Sequence, residues 1–150
     1  MARWKTSAMK MMNRFGPLSL AVLVWPISSA YGDEATVTLA NKSWIAFQCS
    51  YYASAMPHGG EEGKRLRQVG YTAGRQYLAA ADAGRVNGSE FLNIPRQFTY
   101  WGPSHDYILG AVSVFAMDID GAHGHMNDLS QWAAAEYKKR NCQHLKLKAP

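Results

Sequence analysis

The sequence predicts an all-α fold, a small single-domain bundle of about four helices with one disulfide, which follows a cleaved signal peptide. Apolar residues recur at helical spacing in four segments, and clusters of glycine, proline and asparagine separate these segments. No segment shows the sustained alternation of apolar and polar residues that is typical of a β-sheet. Both cysteines of the chain follow an apolar run near its beginning.

Residues 1–32 have the composition of a secretory signal peptide. Basic residues precede the apolar run Leu18–Pro26, after which small residues lead to Gly32. A membrane span needs about 20 predominantly apolar residues, so this run is too short to remain as an anchor. We therefore predict cleavage after Ala30 or Gly32 and no transmembrane anchor afterwards. Residues 33–150 are then an exported helical domain, located in the periplasm or secreted.

The net charge of +5 belongs mostly to the leader. Four of the 16 Lys and Arg residues lie in residues 1–32, whereas none of the 11 Asp and Glu residues does. The exported domain therefore carries 12 basic and 11 acidic side chains. This balance gives no electrostatic basis for binding a polyanion, so nucleic acid is not an expected partner.

Cys49 and Cys142 both belong to the exported domain. In an oxidising compartment, an even pair of cysteines is typical of a structural disulfide. A bridge between them would close almost the whole domain into one loop. In the chain-entropy model such a bridge removes on the order of 4–5 kcal/mol of conformational freedom from the unfolded state.

The first segment of the exported domain combines an expected extended arm with a helix. Residues 35–39 alternate small or polar with apolar side chains, which indicates an extended conformation. Asn41 or Ser43 is then expected to cap a helix that runs to about Ala55. The following proline and two glycines, within residues 56–60, end that helix.

The second helix, from about Glu61 to Ala83, has the clearest pattern in the chain. Its apolar residues form one stripe, and two glutamates begin it, where the helix dipole favours negative charge. Gly70 and Gly74 lie one turn apart inside it. Because glycine lowers helix propensity, we expect another part of the protein to approach the helix closely at these two positions.

Apolar residues do not recur at a regular spacing within residues 87–101, which are expected to form a connection that covers part of the core. Phe91, Leu92 and Ile94 are expected to be buried there. Ser104 then caps a third helix that extends to about Met117.

A glycine-rich segment follows the third helix, and Asn127 or Asp128 is expected to cap a final helix that ends at about Asn141. Cys142 comes directly after that helix. The predicted disulfide would therefore tie the end of the last helix to the middle of the first.

The leading functional hypothesis is a non-catalytic protein that binds another protein in the bacterial envelope, for example as an inhibitor or immunity factor. Aromatic residues in an irregular segment either cover the core or anchor a partner. The candidate partner-binding residues follow from this reasoning, and they are Phe98, Tyr100, Trp101, Ser104 and His105.

An alternative hypothesis is a periplasmic metal-binding protein that uses the segment after the third helix. His123 and His125, with Asp118 and Asp120 nearby, provide the ligand types that hold zinc or copper. A calcium-binding EF-hand loop does not fit, because Asn127 would occupy the position where a bidentate glutamate belongs. Apart from zinc or copper at this loop, the sequence implies no cofactor.

A second alternative is a hydrolase. Ser104, His105 and Asp106 include the residue types of a catalytic triad, but neighbours on a helix point about 100° apart and cannot align as one. A hydrolase would therefore need carboxylates that are distant in sequence, such as Glu62, Asp106 or Asp120, and their spacing gives no support for such a site.

Overall fold

A computed structural model describes residues 34–86, 88–89, 92–100, 102–117 and 119–146 of the chain. The predicted signal peptide lies outside these residues. The described residues form helices joined by turns, with no strand among them, so the predicted all-α class is confirmed. The α-helices are α1 (Glu34–Ala55), α2 (Gly60–Asp82), α3 (His105–Phe115), α4 (Ile119–His123) and α5 (Leu129–Lys139). Two 3-10 helices complete the described secondary structure, η1 (Arg96–Thr99) and η2 (Cys142–His144).

Helix α1 begins earlier than the sequence pattern predicts. The expected extended arm over residues 35–39 is wrong, because these residues form the first turns of α1. Thr36, Ala40, Ser43 and Phe47 recur at helical spacing, and all four are buried. Five alternating residues could satisfy either pattern, and burial against α2 favours the helix. Ser43 is consequently an internal helical residue and not a cap.

Helices α1 and α2 form an antiparallel hairpin with a close interface. The hydroxyl of Ser43 donates a 2.8 Å hydrogen bond to the Gly70 carbonyl oxygen, and Ser50 does the same to Gly63. A Cβ atom at Gly70 would lie 2.8 Å from the ring of Phe47. One at Gly74 would lie 2.8 Å from the Ser43 hydroxyl oxygen. The predicted close approach at Gly70 and Gly74 is therefore confirmed.

Helices α3 and α5 pack on this hairpin, and two groups of buried side chains form around it. The larger group joins α1 and α2 to η1 and α3, and it includes Phe47, Tyr77, Phe98 and Leu109. The smaller group surrounds the disulfide and includes Leu66 of α2. Ile94 is buried as predicted, whereas Leu92 is 86% exposed, so its predicted burial is wrong. Phe91 lies outside the described residues.

The predicted disulfide between Cys49 and Cys142 is confirmed. Their Cα atoms lie 5.6 Å apart across a sequence separation of 93 residues, and neither side chain is exposed. The bridge joins the middle of α1 to the beginning of η2, so it fixes η2 to the central hairpin. None of the described helices has both the length and the hydropathy that crossing a membrane requires.

Candidate functional site

An open cavity of about 740 Å³ lies between the end of α2 and the beginning of α3. Its size is within the range of about 300–1,000 Å³ that is typical of ligand sites. The wall contributed by α2 consists of Leu78, Ala81 and Asp82. The rest of the lining comes from η1, the turn that follows it and the first turn of α3, namely Phe98, Thr99, Tyr100, Gly102, Pro103, Ser104, His105 and Ile108.

The cavity brings together four of the five residues predicted to bind a partner. Tyr100, Ser104 and His105 line it at the surface, and Phe98 lines it from the protein interior. Trp101 lies outside the described residues. Phe98 is only 4% exposed, because its ring packs edge-to-face on Tyr77 with 5.1 Å between ring centroids. Phe98 therefore supports the cavity, and Tyr100 is the more accessible of these two aromatic side chains.

Local hydrogen bonds explain why the chain turns into α3 at this point. The Ser104 side chain accepts a 3.2 Å hydrogen bond from the Tyr107 backbone N–H, as predicted for the helix cap. Asp106, in the first turn, forms an ion pair with Arg75 of α2 at 2.8 Å. These contacts fix the beginning of α3 beside α2, and so they position the wall of the cavity.

A carboxylate and an imidazole meet at the edge of the cavity. His105 Nε2 lies 2.7 Å from Asp82 Oδ2, although the two residues are 23 positions apart. No sequence pattern connects the two residues, because their pairing depends on how α2 and α3 pack. Asp82 carries no sequence signal beyond its place near the end of a helix. This contact joins the two elements that form the cavity and places polar groups beside its apolar wall.

Helix α3 also exposes apolar side chains on the side away from the core. Tyr107, Val114 and Phe115 are 60%, 54% and 55% exposed. Tyr107 and Val114 lie two helical turns apart and therefore share one side of the helix. The rings of Phe115 and Tyr100 contact each other edge-to-face, with centroids 6.0 Å apart. We call the cavity together with Tyr107, Val114 and Phe115 the contact surface.

The residues of the metal hypothesis are described only in part. Asp118 lies outside the described residues, as does the side chain of Asp120. Nδ1 of His125 lies 3.2 Å from Asp128 Oδ1, and its ring stacks on Trp132 with centroids 5.6 Å apart. Among the residues described, no three His, Cys, Asp or Glu side chains are grouped so as to hold a metal ion. Zinc or copper binding at this segment stays a prediction.

Two of the three carboxylates considered for a hydrolase, Glu62 and Asp106, have other partners, and the side chain of Asp120 lies outside the described residues. The Arg65 guanidinium, hydrogen-bonded at 2.6 and 2.7 Å, lowers the pKa of Glu62. The Tyr137 hydroxyl donates to the same carboxylate at 2.6 Å and acts in the same direction. A general acid needs a raised pKa, so this environment is the opposite of what that role requires. Asp106 is paired with Arg75. Hydrolysis stays an untested alternative.

Comparison with known proteins yields no match, whether with family models, with curated sequences or with solved structures. A functional proposal for this chain therefore depends on the geometry and chemistry of its own residues.

Proposed function

We propose that this protein is exported to the bacterial envelope and binds a partner protein there, through the contact surface. The proposed mode is that of an inhibitor or immunity factor, which acts by covering part of its target and carries out no chemistry itself. The partner is expected to lay an apolar segment along α3 and to insert one apolar side chain into the cavity.

One observation carries this proposal, namely that the cavity and the exposed face of α3 are continuous. Tyr100 lines the cavity, and its ring contacts Phe115 at the end of α3. A helix that is apolar on the side opposite its buried face is typical of one that another element covers. From Tyr107 to Met117 the chain contains no charged side chain. Nothing along this stretch therefore opposes the approach of an apolar partner.

The extent of the surface favours a protein over a small molecule as the occupant. A small ligand would fill the cavity and leave Tyr107 and Val114 in contact with water. A protein would cover both parts at once, and aromatic side chains such as Tyr100 are frequent anchors in protein interfaces. Asp82 and His105 at the edge then provide polar groups that orient the inserted segment.

Export is supported by the disulfide and by the leader sequence. Disulfides such as Cys49–Cys142 persist in oxidising compartments and are rare in the cytosol. N-terminal sequencing of the protein from a periplasmic extract is expected to begin at Tyr31 or Asp33. A protein that retains its original N-terminus and remains with the cytosol would contradict this part of the proposal.

Site-specific photo-cross-linking tests the proposed binding surface. With p-benzoylphenylalanine in place of Tyr100, irradiation of an envelope extract is expected to give one adduct, identified by mass spectrometry. The variant Ala81→Phe, which fills the cavity with a larger side chain, is expected to remove this adduct. The matched variant Ala134→Phe, on the exposed side of α5, should leave it unchanged. An adduct that persists in Ala81→Phe, or no adduct at all, contradicts binding at this cavity.

A further inference from the structure

A second cavity, of about 150 Å³, lies where α1, α2 and α3 meet. It shares no lining residue with the contact surface. Its volume lies below the range of about 300–1,000 Å³ that is typical of sites for drug-sized ligands. The cavity is too small for a protein segment, but its size matches a small polar metabolite or the last residue of a peptide.

Arg67 gives this cavity a positive charge that no described carboxylate neutralises. The other three basic side chains of α2, Lys64, Arg65 and Arg75, each form an ion pair with a carboxylate. Arg67 forms none with the residues that the structure describes, and no described lining residue of the cavity is acidic. A guanidinium presents five N–H donors in a planar fork that matches a carboxylate.

The hydroxyl groups around Arg67 divide into two kinds. The serine hydrogens are already used, since Ser50, Ser54 and Ser113 each donate to a backbone carbonyl oxygen at 2.7–2.8 Å. Their oxygen lone pairs remain able to accept. The tyrosine hydroxyls of Tyr51 and Tyr71 form no hydrogen bond with any described residue, so they are able to donate.

We propose that this cavity binds a small carboxylate that also carries a hydrogen-bond donor. Arg67 and the two tyrosine hydroxyls would donate to the carboxylate. The serine oxygens would accept from an O–H or N–H group elsewhere on the same molecule. Both a free hydroxy or amino acid and the C-terminal residue of a peptide have this chemistry. The two surfaces have no residue in common, so this proposal does not rest on the partner binding proposed above.

NMR titration of the purified, disulfide-bonded protein tests the site with defined probes. Lactate represents a free acid and glycyl-alanine a peptide terminus, while lactamide and glycyl-alaninamide lack the carboxylate charge. We expect saturable shifts of the α1 and α2 amide signals around the cavity with at least one carboxylate, and none with its amide. Binding of lactate alone identifies free acids as the ligand class, whereas binding of the dipeptide identifies peptide termini.

Variants at Arg67 separate specific recognition from general charge attraction. Because a hydrogen bond to a charged group contributes more than a neutral one, Arg67→Gln is expected to weaken binding about tenfold or more. Arg67→Lys keeps the charge without the fork geometry, so its affinity for the carboxylate should lie between those of the wild type and Arg67→Gln. The matched variant Arg96→Gln removes a charge from η1, away from the cavity lining, and should change affinity less than about twofold. Equal weakening by Arg67→Gln and Arg96→Gln, equal binding of the amides, or no saturable shift would overturn the proposal.

Discussion

Among single residues, Glu62 and Tyr137 show how the fold changes the behaviour of titratable groups. Burial and the hydrogen bond to Glu62 raise the pKa of Tyr137 to about 12. The hydrogen bonds from Arg65 and from Tyr137 lower the pKa of Glu62, although burial acts on it in the opposite direction. Arg65 also donates to the Leu145 carbonyl oxygen at 2.6 Å, so this network links α2 to α5 and to the end of the described chain.

The network predicts a loss of stability at acid pH. A carboxyl group whose folded-state pKa lies below its unfolded value stabilises the protein above the unfolded pKa, and this contribution is lost as the pH falls through the folded pKa. When the pH is lowered from 7 to 3, we expect the free energy of unfolding to fall by about 1 kcal/mol more in the wild type than in Glu62→Gln, as measured by urea unfolding. Glu61→Gln serves as the control, since the exposed Glu61–Lys64 pair contributes little. Identical pH profiles for Glu62→Gln and the wild type would contradict this role.

The same network acts in the opposite direction at alkaline pH. The pKa of Tyr137 is raised above its ordinary value of 10.0. Its contribution to the free energy of unfolding is therefore complete below pH 10.0 and is lost as the pH rises toward about 12. Glu62 therefore sets the acid limit of the pH range of maximal stability and Tyr137 sets the alkaline limit, and neutral pH lies within this range.

Single residues also show where sequence reasoning succeeded and where it could not. The close contacts at Gly70 and Gly74 were predictable, because glycine lowers helix propensity and its presence inside a strong helical pattern therefore indicates close packing. The contact of His105 with Asp82 was not predictable, since both residue types also occur commonly as solvated side chains near helix ends. Phe98 matched the pattern of an exposed anchor as well as that of a core residue, and only the tertiary fold distinguishes the two.

At the level of helices, the pairing of α1 with α2 depends on side chains that are small enough for close approach. Ser43 and Ser50 lie two turns apart on α1, and they contact Gly70 and Gly63 two turns apart on α2. The same helical spacing continues toward the beginning of α1, before the expected cap, where Thr36 and Ala40 are buried. Two helices that pack along their whole length bury more surface than a helix and an extended arm.

Two glycines at helix-internal positions allow a matched test of this interface. Gly70→Ala would place a Cβ atom 2.8 Å from the buried Phe47 ring, and we expect a loss of about 1–3 kcal/mol in the free energy of unfolding. Gly110→Ala in α3 meets no atom within 4 Å, and the higher helix propensity of alanine should stabilise the protein by about 0.5–1 kcal/mol. If both variants stabilise the protein equally in urea unfolding, the close packing of α1 on α2 is wrong.

The whole molecule is organised around the central hairpin and the disulfide that fixes the last helix to it. The all-α class and the Cys49–Cys142 pairing were both predictable, because helical periodicity and the cysteine count depend little on tertiary detail. The cavity beside α3 was not, since it arises from how the end of α2, η1 and α3 meet. The sequence nevertheless indicated the segment that lines it, through its aromatic residues.

Removal of the disulfide tests how far the fold depends on it. The bridge closes a loop across 93 positions, so the chain-entropy model predicts that Cys49→Ala combined with Cys142→Ala lowers the free energy of unfolding by about 4–5 kcal/mol. Because both side chains are completely buried, their loss also leaves space in the smaller core group. Urea unfolding at pH 7 measures the difference. A loss below about 1 kcal/mol would show that packing alone holds the last helix in place.

The central claim is that the cavity and the outer face of α3 form one surface for a partner protein. The partner that photo-cross-linking identifies allows a direct test, in which its affinity is measured for the variants Val114→Lys and Ala135→Lys. The thermal unfolding of both variants should match that of the wild type, so that any change in affinity reflects binding. Both substitutions add the same charge to an exposed helical position. We expect Val114→Lys to weaken binding about tenfold or more, because the added ammonium group would be desolvated in the interface, and Ala135→Lys to have no effect. Equal affinity of the partner for both variants would contradict the central claim.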